Sequence, residues 1–225
     1  MLGSRILVIA AHPDDEVLGC GGTIAKLTAE GKEVHVAFLA DGVFSRDSAT
    51  TKSELEVRQK ASHAAAAILG IKSVRFGEFP DNRMDSVPLL DVVKSVEDLI
   101  AEIKPSAILT HNATDLNVDH QRTHTAVATA CRPQKGFSVK TILCFEVPSS
   151  TEWVMDASQA FHPNVFVDVS STLSKKMAAL DAYKMEMRQW PHPRSIQGVQ
   201  HLLGWRGATV GVEAAEAFTL GRTVL

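Results

Sequence analysis

Residues 5–11, Arg-Ile-Leu-Val-Ile-Ala-Ala, form a continuous apolar run too short for a helix, and it breaks directly into His12-Pro13-Asp14-Asp15-Glu16. A strand covered on one face alternates apolar and polar residues. An unbroken run needs cover on both faces, as in the middle of a parallel sheet. Residues 34–40 repeat the pattern and end at Asp41-Gly42, and shorter strand-like runs occur at 73–76 and 107–110. Between them lie helix-spaced segments. Residues 21–30 carry Ile24, Leu27 and Thr28 and stop at Gly31. Residues 52–69 have an alanine-rich middle closed by Gly70, residues 89–104 end against Pro105, and residues 119–131 follow the fourth strand. Strand and helix thus alternate four times, which predicts an α/β fold of three layers, α/β/α, with a mostly parallel sheet and right-handed crossovers. In such sheets the working residues gather at the carboxyl ends of the strands.

The later chain is less regular. Residues 141–146 and 165–169 read as strands, 173–188 as a helix and 196–204 as a shorter one, while Trp190-Pro191-His192-Pro193-Arg194 is too proline-rich for either and reads as a fixed loop. With no linker, repeat or low-complexity stretch, the expectation is one domain over residues 1–225.

Composition narrows the function. The chain has 225 residues, 45% apolar and 22% charged, which matches an ordinary folded domain rather than a disordered one. A net charge of −3 argues against generic gripping of nucleic-acid backbones. No apolar run approaches bilayer length, and Met1–Arg5 lacks the features of a secretory leader, so the expectation is a cytoplasmic protein without membrane insertion. Cys20, Cys131 and Cys144 are odd in number, widely spaced and set among apolar residues; they read as buried free thiols rather than disulfides or a cysteine metal site.

The chemistry concentrates in the first loop. The three carboxylates of His12-Pro13-Asp14-Asp15-Glu16 repel one another, and a cation that joins them also orients the neighbouring imidazole. The alternative is helix capping, with Asp14 or Asp15 as N-cap and the others complementing the helix dipole. A second loop, Asp115-Leu116-Asn117-Val118-Asp119-His120-Gln121-Arg122-Thr123-His124, follows the fourth strand. His120 and His124 lie one helical turn apart, and the stretch lacks the glutamate of a zincin motif. Both loops leave the same sheet edge, so the second is placed to add the imidazole that a His/Asp/His metal site needs.

The first motif, preceded by a buried strand and followed by Gly19-Cys20-Gly21-Gly22, resembles the signature of the LmbE/PIG-L-type zinc deacetylases. The resemblance continues through Arg58, Leu69-Gly70, Pro80-Asp81 and Asp119-His120, and covers residues 5 to about 131. It implies a Rossmann-like fold and removal of the acetyl group from N-acetylglucosamine-type sugars or sugar conjugates. It further implies that His12, Asp15 and His120 hold one zinc ion, that Asp14 is the general base and that Arg58 contacts substrate. Many members carry a histidine at the position of Asn117, thought to help stabilise the oxyanion. An asparagine amide donates a hydrogen bond there but carries no proton. The acid role then falls to Asp14 after attack or to another histidine, with His111, His124 and His192 as candidates.

A catalytic ion held by three protein groups keeps a position for water, whose pKa it brings towards about 7. Asp14 and Asp15 are adjacent, so their side chains diverge, one towards metal and the other towards that water. The two-His-one-carboxylate set also suits Fe2+ or another divalent ion. Asp41 and His192 are further candidates for lining a sugar pocket, and Glu16 reads as structural, binding nearby amides. Arg58, four residues after Glu54, fits a helical ion pair as well as a substrate contact. Trp153, Trp190 and Trp205 read either as core aromatics or as rim platforms for a sugar ring. Two other functions share these features. A metal-dependent hydratase of an unsaturated acid uses the same base and ion, and a binding module keeps the fold without chemistry. Small enzymes of this kind often self-associate, so a homo-oligomer accords with the reading.

Overall fold

A computed structural model describes residues 2–40 and 52–225 of the chain. The predicted alternation is present: β1 (Arg5–Ala10), α1 (Asp15–Ala29), β2 (Glu33–Ala40), α2 (Lys52–Leu69), β3 (Ser73–Phe79), α3 (Leu89–Ile103), β4 (Ala107–His111), α4 (Val118–Ala130) and β5 (Thr141–Phe145). They are followed by β6 (Val165–Asp168), α5 (Leu173–Ala182), α6 (Ile196–Ala208) and β7 (Ala215–Thr223). The seven strands form one sheet in the order β3-β2-β1-β4-β5-β7-β6. The first five are parallel, and β7 runs antiparallel to both β5 and β6.

The apolar run of β1 divides between two cores. Ile6, Val8 and Ala10 face one side with Val17 and Ile24 of α1 and Leu180 of α5, whereas Leu7 and Ile9 face the other with Val92 and Val96 of α3 and Val127 of α4. These five of the six β1 residues are fully buried, each larger one contributing about 1.5–3 kcal/mol by leaving water. Opposite cores thus demand apolar side chains at both phases of the strand, which is why no alternation shows.

From β1 the chain proceeds outward through β2 to β3, then crosses back to β4 on the other side of β1. This reversal opens a crevice at the carboxyl ends of β1 and β4, the usual ligand position in open parallel sheets. No helix among the described residues is long and apolar enough to cross a membrane.

Three elements differ from expectation. Helix α1 starts at Asp15 rather than Gly21, and the motif's own acids form its first turn. Its glycine-rich stretch contains a break at Cys20 (φ −147°, ψ 22°). Tertiary partners satisfy the break: Gly22 and Thr23 N–H donate to Glu216 of β7 at 2.8 and 2.7 Å, and Lys176 of α5 donates to Leu18 O at 2.8 Å. A side chain at Gly22 would put Cβ 2.9 Å from Val169, so this close packing needs glycine. Helix α5 ends at Ala182 instead of reaching 188, because Tyr183 turns inward and its hydroxyl donates to Glu16 Oε1 at 2.8 Å. Strand β7 has no counterpart in the sequence reading. Its inner residues (Ala215, Glu216, Ala217, Phe218) are buried and include a charge, so neither strand pattern describes them.

Candidate metal centre and active site

The β1–α1 and β4–α4 loops meet in the crevice. Donor atoms of His12, Asp15 and His120 all lie within 4.8 Å of one another. His12 Nδ1 stands 3.4 Å and His120 Nε2 3.3 Å from the same oxygen, Asp15 Oδ2. A tetrahedral ion with arms of about 2.0–2.1 Å has edges of about 3.3 Å, so these separations match the donor spacing of a zinc-sized ion.

The remaining ring nitrogens are oriented by carboxylates. His12 Nε2 faces Asp119 Oδ2 at 2.9 Å and Asp81 Oδ1 at 3.0 Å, which puts its proton there and leaves Nδ1 a lone pair towards Asp15. His120 Nδ1 lies within ion-pair distance of Asp115 Oδ1, at 3.0 Å, while its Nε2 faces the centre. Such carboxylate–histidine pairs fix ring orientation and raise ligand basicity at metal sites. Asp119 also accepts from Asn82 and Met84 N–H at 2.6 and 3.0 Å, tying the turn after β3 to α4. Asp115 is braced by Ser150 and Thr151 hydroxyls, the latter at 2.6 Å.

The electrostatics favour positive charge at this centre. Burial alone would raise the Asp15 pKa, but His120, His111 and His12 hold it well below the carboxylate range. Burial likewise opposes charge on His120, yet Asp15 and Asp115 push it up to about 9, and Asp119, Asp15 and Asp81 raise His12 well above its ordinary value. In Asp115, burial is outweighed by His120, His111 and Ser150, and the pKa falls to about 2. Without a cation the imidazoles recruit protons to balance the carboxylates; a divalent ion meets the same need. The donor set therefore fits a divalent metal by spacing, tautomer and charge.

Asp14 occupies the N-cap position of α1 in a left-handed conformation (φ 117°, ψ −29°), and its side chain makes no capping bond. Backbone strain of this kind concentrates at functional sites. Its N–H donates to Glu16 Oε2 at 3.0 Å, the amide-binding role expected of Glu16, and its carboxylate receives Arg194 Nη1 at 2.9 Å. Burial raises its pKa to about 6 despite Arg194. Glu16, buried beneath it, is raised to about 8.

A cavity of about 210 Å³ opens over the cluster, lined by Asp14, Arg58, Asn82, Asn117, Arg194 and the three converging residues among others. Arg58 lines it while paired with Glu186 at 2.9 Å. Asn117 lines it as well, but its side chain is occupied locally: Oδ1 caps α4 by accepting from Asp119 N at 2.8 Å, and Nδ2 donates to Asn82 Oδ1 at 2.9 Å. Asp41 lies outside the described residues. His192 is not among the cavity-lining groups; its Nδ1 accepts from Arg194 N at 3.1 Å and its ring packs edge-on against Trp153. The other candidate acids do not line the cavity either. His111 is fully buried, stacked on His120 at 3.8 Å and accepting from Ala11 N at 2.8 Å, while His124 Nδ1 bonds to His111 O at 2.9 Å. None of the three tryptophans is a core residue: Trp153, Trp190 and Trp205 are all exposed.

Sequence reasoning quoted Asp81, Asp115 and Asp119 without giving them roles, and missed Arg194 and Glu186. The spacing Asp115-x4-His120 held a usable signal, since both residues bracket the start of α4. Arg194 and Glu186 had none, because they meet the site only through folding.

Fold and site together define a class: a Rossmann-like α/β protein with a two-histidine, one-carboxylate centre at the sheet's switch point. The sequence of residues 7–131 matches the family described as PIG-L: GlcNAc-PI de-N-acetylase, and the chain belongs to that family. It is 31% identical over 185 residues to the uncharacterized deacetylase YaiS of Escherichia coli K12, covering 80% of this chain and 90% of that one. It is also 27% identical over 216 residues to 4-oxalmesaconate hydratase of Pseudomonas putida KT2440, covering 86% and 80%. Among solved structures, N,N'-diacetylchitobiose deacetylase from Pyrococcus horikoshii superposes with a TM-score of 0.78 at 21% identity, over 97% of this chain and 84% of that one, which shows the shared fold.

Proposed function

We propose that this chain is a divalent-metal-dependent N-deacetylase that releases acetate from an N-acetylglucosamine-type sugar or sugar conjugate. One observation carries the reading: His12 Nδ1 and His120 Nε2 converge on Asp15 Oδ2 in the crevice, with the spare carboxylate of Asp14 beside them. His12, Asp15 and His120 hold the ion, with zinc the first expectation and Fe2+ the next. When bound, the ion acidifies a water molecule and polarises the acetamide carbonyl. Asp14 takes the water's proton as it attacks the carbonyl carbon, then returns a proton to the departing nitrogen, so that amide and water become amine and acetate. Burial, which raises Asp14 above the ordinary carboxylate range, favours both taking and returning a proton. Asn117, with one amide hydrogen committed to Asn82, has one left to donate towards the developing oxyanion. Arg58 and the Asn82 turn form the wall against which the sugar packs.

The experiment is acetate release from a panel of N-acetylhexosamine glycosides, with and without chelator, on protein of measured metal content. Chelator-sensitive release supports the reading; no release from any member, by metal-loaded protein, removes it. The kinship to a hydratase favours a second reading, water addition to an unsaturated acid at the same centre. Loss of enol absorbance without acetate release would select it.

A further inference from the structure

Arg194 sits where two cavity walls meet. Its Nη1 donates to Asp14 Oδ2 at 2.9 Å and its Nε to Ser149 Oγ at 3.1 Å, so one guanidinium spans the β1–α1 loop and the segment after β5. Both anchor points are themselves held. Ser149 has a left-handed backbone (φ 71°), and its N–H donates to Glu152 Oε1 at 2.7 Å. Arg194's own N–H donates to His192 Nδ1, its carbonyl accepts from Arg188 N at 3.2 Å, and the next residue, Ser195, caps α6 by accepting from Gly198 N at 2.9 Å. The guanidinium thus leaves a laced loop, with its side chain only 21% exposed, to meet a carboxylate that is 5% exposed.

We infer that Arg194 is a positioning residue for Asp14, fixing the rotamer of its carboxylate over the metal centre while clasping the 190–195 loop to Ser149. The inference rests on the reading of Asp14 as base. Glu16 fixes the main chain of Asp14 through its N–H but leaves the side-chain torsions free. A planar guanidinium removes that freedom through a directional charge-assisted bond. The cavity's other guanidinium, Arg58, is engaged with Glu186. Lysine in place of Arg194 presents one ammonium nitrogen where two separated guanidinium nitrogens now meet Asp14 and Ser149.

The test compares native protein, Arg194→Ala and Arg194→Lys, each loaded with zinc, using N,N'-diacetylchitobiose as the probe. Misplacing a reacting group costs on the order of 100-fold, so kcat for Arg194→Ala should fall by about that factor while KM and bound zinc stay near native. Added guanidinium ion should restore part of the lost kcat in Arg194→Ala and none in native protein, and Arg194→Lys should stay below native. A second measurement is independent of turnover: a thermal double-mutant cycle with Asp14→Gly, which takes φ 117° without strain. The loss of melting temperature from Arg194→Ala should be smaller in the Asp14→Gly background, the part that remains being the bond to Ser149. Native kcat in Arg194→Ala, a fall in kcat that guanidinium does not recover, or additive thermal losses each overturn the inference. Native protein that turns over no N-acetyl substrate instead removes the deacetylase reading, and the cycle alone then decides whether the clasp exists.

Discussion

Lys176 Nζ donates to Glu216 Oε1 at 2.6 Å, with both side chains about 1% exposed, and the pair fills the break in α1. The ammonium takes up Leu18 O from the first half-helix, and the carboxylate takes Gly22 and Thr23 N–H from the second. The half-helix that carries Asp15 and Glu16 is thereby pinned to α5 and β7, which links a distant ion pair to the geometry of the site.

Glu216→Ala should therefore be costly. It strands a buried ammonium and two amides, a loss of about 3–5 kcal/mol in urea-denaturation stability. A change below about 1 kcal/mol would show that water reaches Lys176 and that the pair does not hold the break.

Neighbouring acids should fail differently. Asp14→Asn removes the base but no proposed ligand, so turnover should drop by about 100- to 10,000-fold with metal content intact. Asp15→Ala should lose the metal itself, measured by elemental analysis after gel filtration. Equal metal loss in both variants, or native turnover in Asp14→Asn, contradicts the division of roles.

Asp115 acts one bond further out. It orients His120 from 3.0 Å while accepting from Thr151 and from Asn117 N–H. Asp115→Ala should weaken metal affinity by about 10- to 100-fold in a chelator competition, the usual cost of removing such a partner. Unchanged affinity would mean that packing against His111 alone orients the ring.

The three cysteines are free and buried, and burial pushes the Cys144 thiol up to about 11, Cys131 to about 12 and Cys20 well above its ordinary value. Thiolate is the reactive form, so a thiol reagent at pH 8 should label none in the native protein and all three after denaturation. Rapid labelling of folded protein would place a cysteine at the surface.

Much of the parallel core was legible because its signals are local. The apolar run of β1 reports burial on both faces, and glycine or proline marks the ends of α1, α2 and α3. The first motif was legible for the same reason, since three carboxylates crowd one turn and their mutual repulsion has to be resolved nearby. The break in α1 was not. A glycine-rich segment is a poor helix by propensity, and it forms one here because Glu216 and Lys176 supply its missing hydrogen-bond partners from nearly 200 and 160 positions away.

Sequence by itself determined the alternation of strand and helix and offered His12, Asp14, Asp15 and His120 as candidates, since each of those signals lies within a short stretch of chain. Only the tertiary structure decided which carboxylate orients which imidazole, that Asn117 is occupied as a helix cap, and that Arg194 reaches Asp14 across 180 residues. The physical reason is range: periodicity and crowding act within a turn or two, whereas a hydrogen bond between distant loops exists only once hydrophobic burial has brought their walls together.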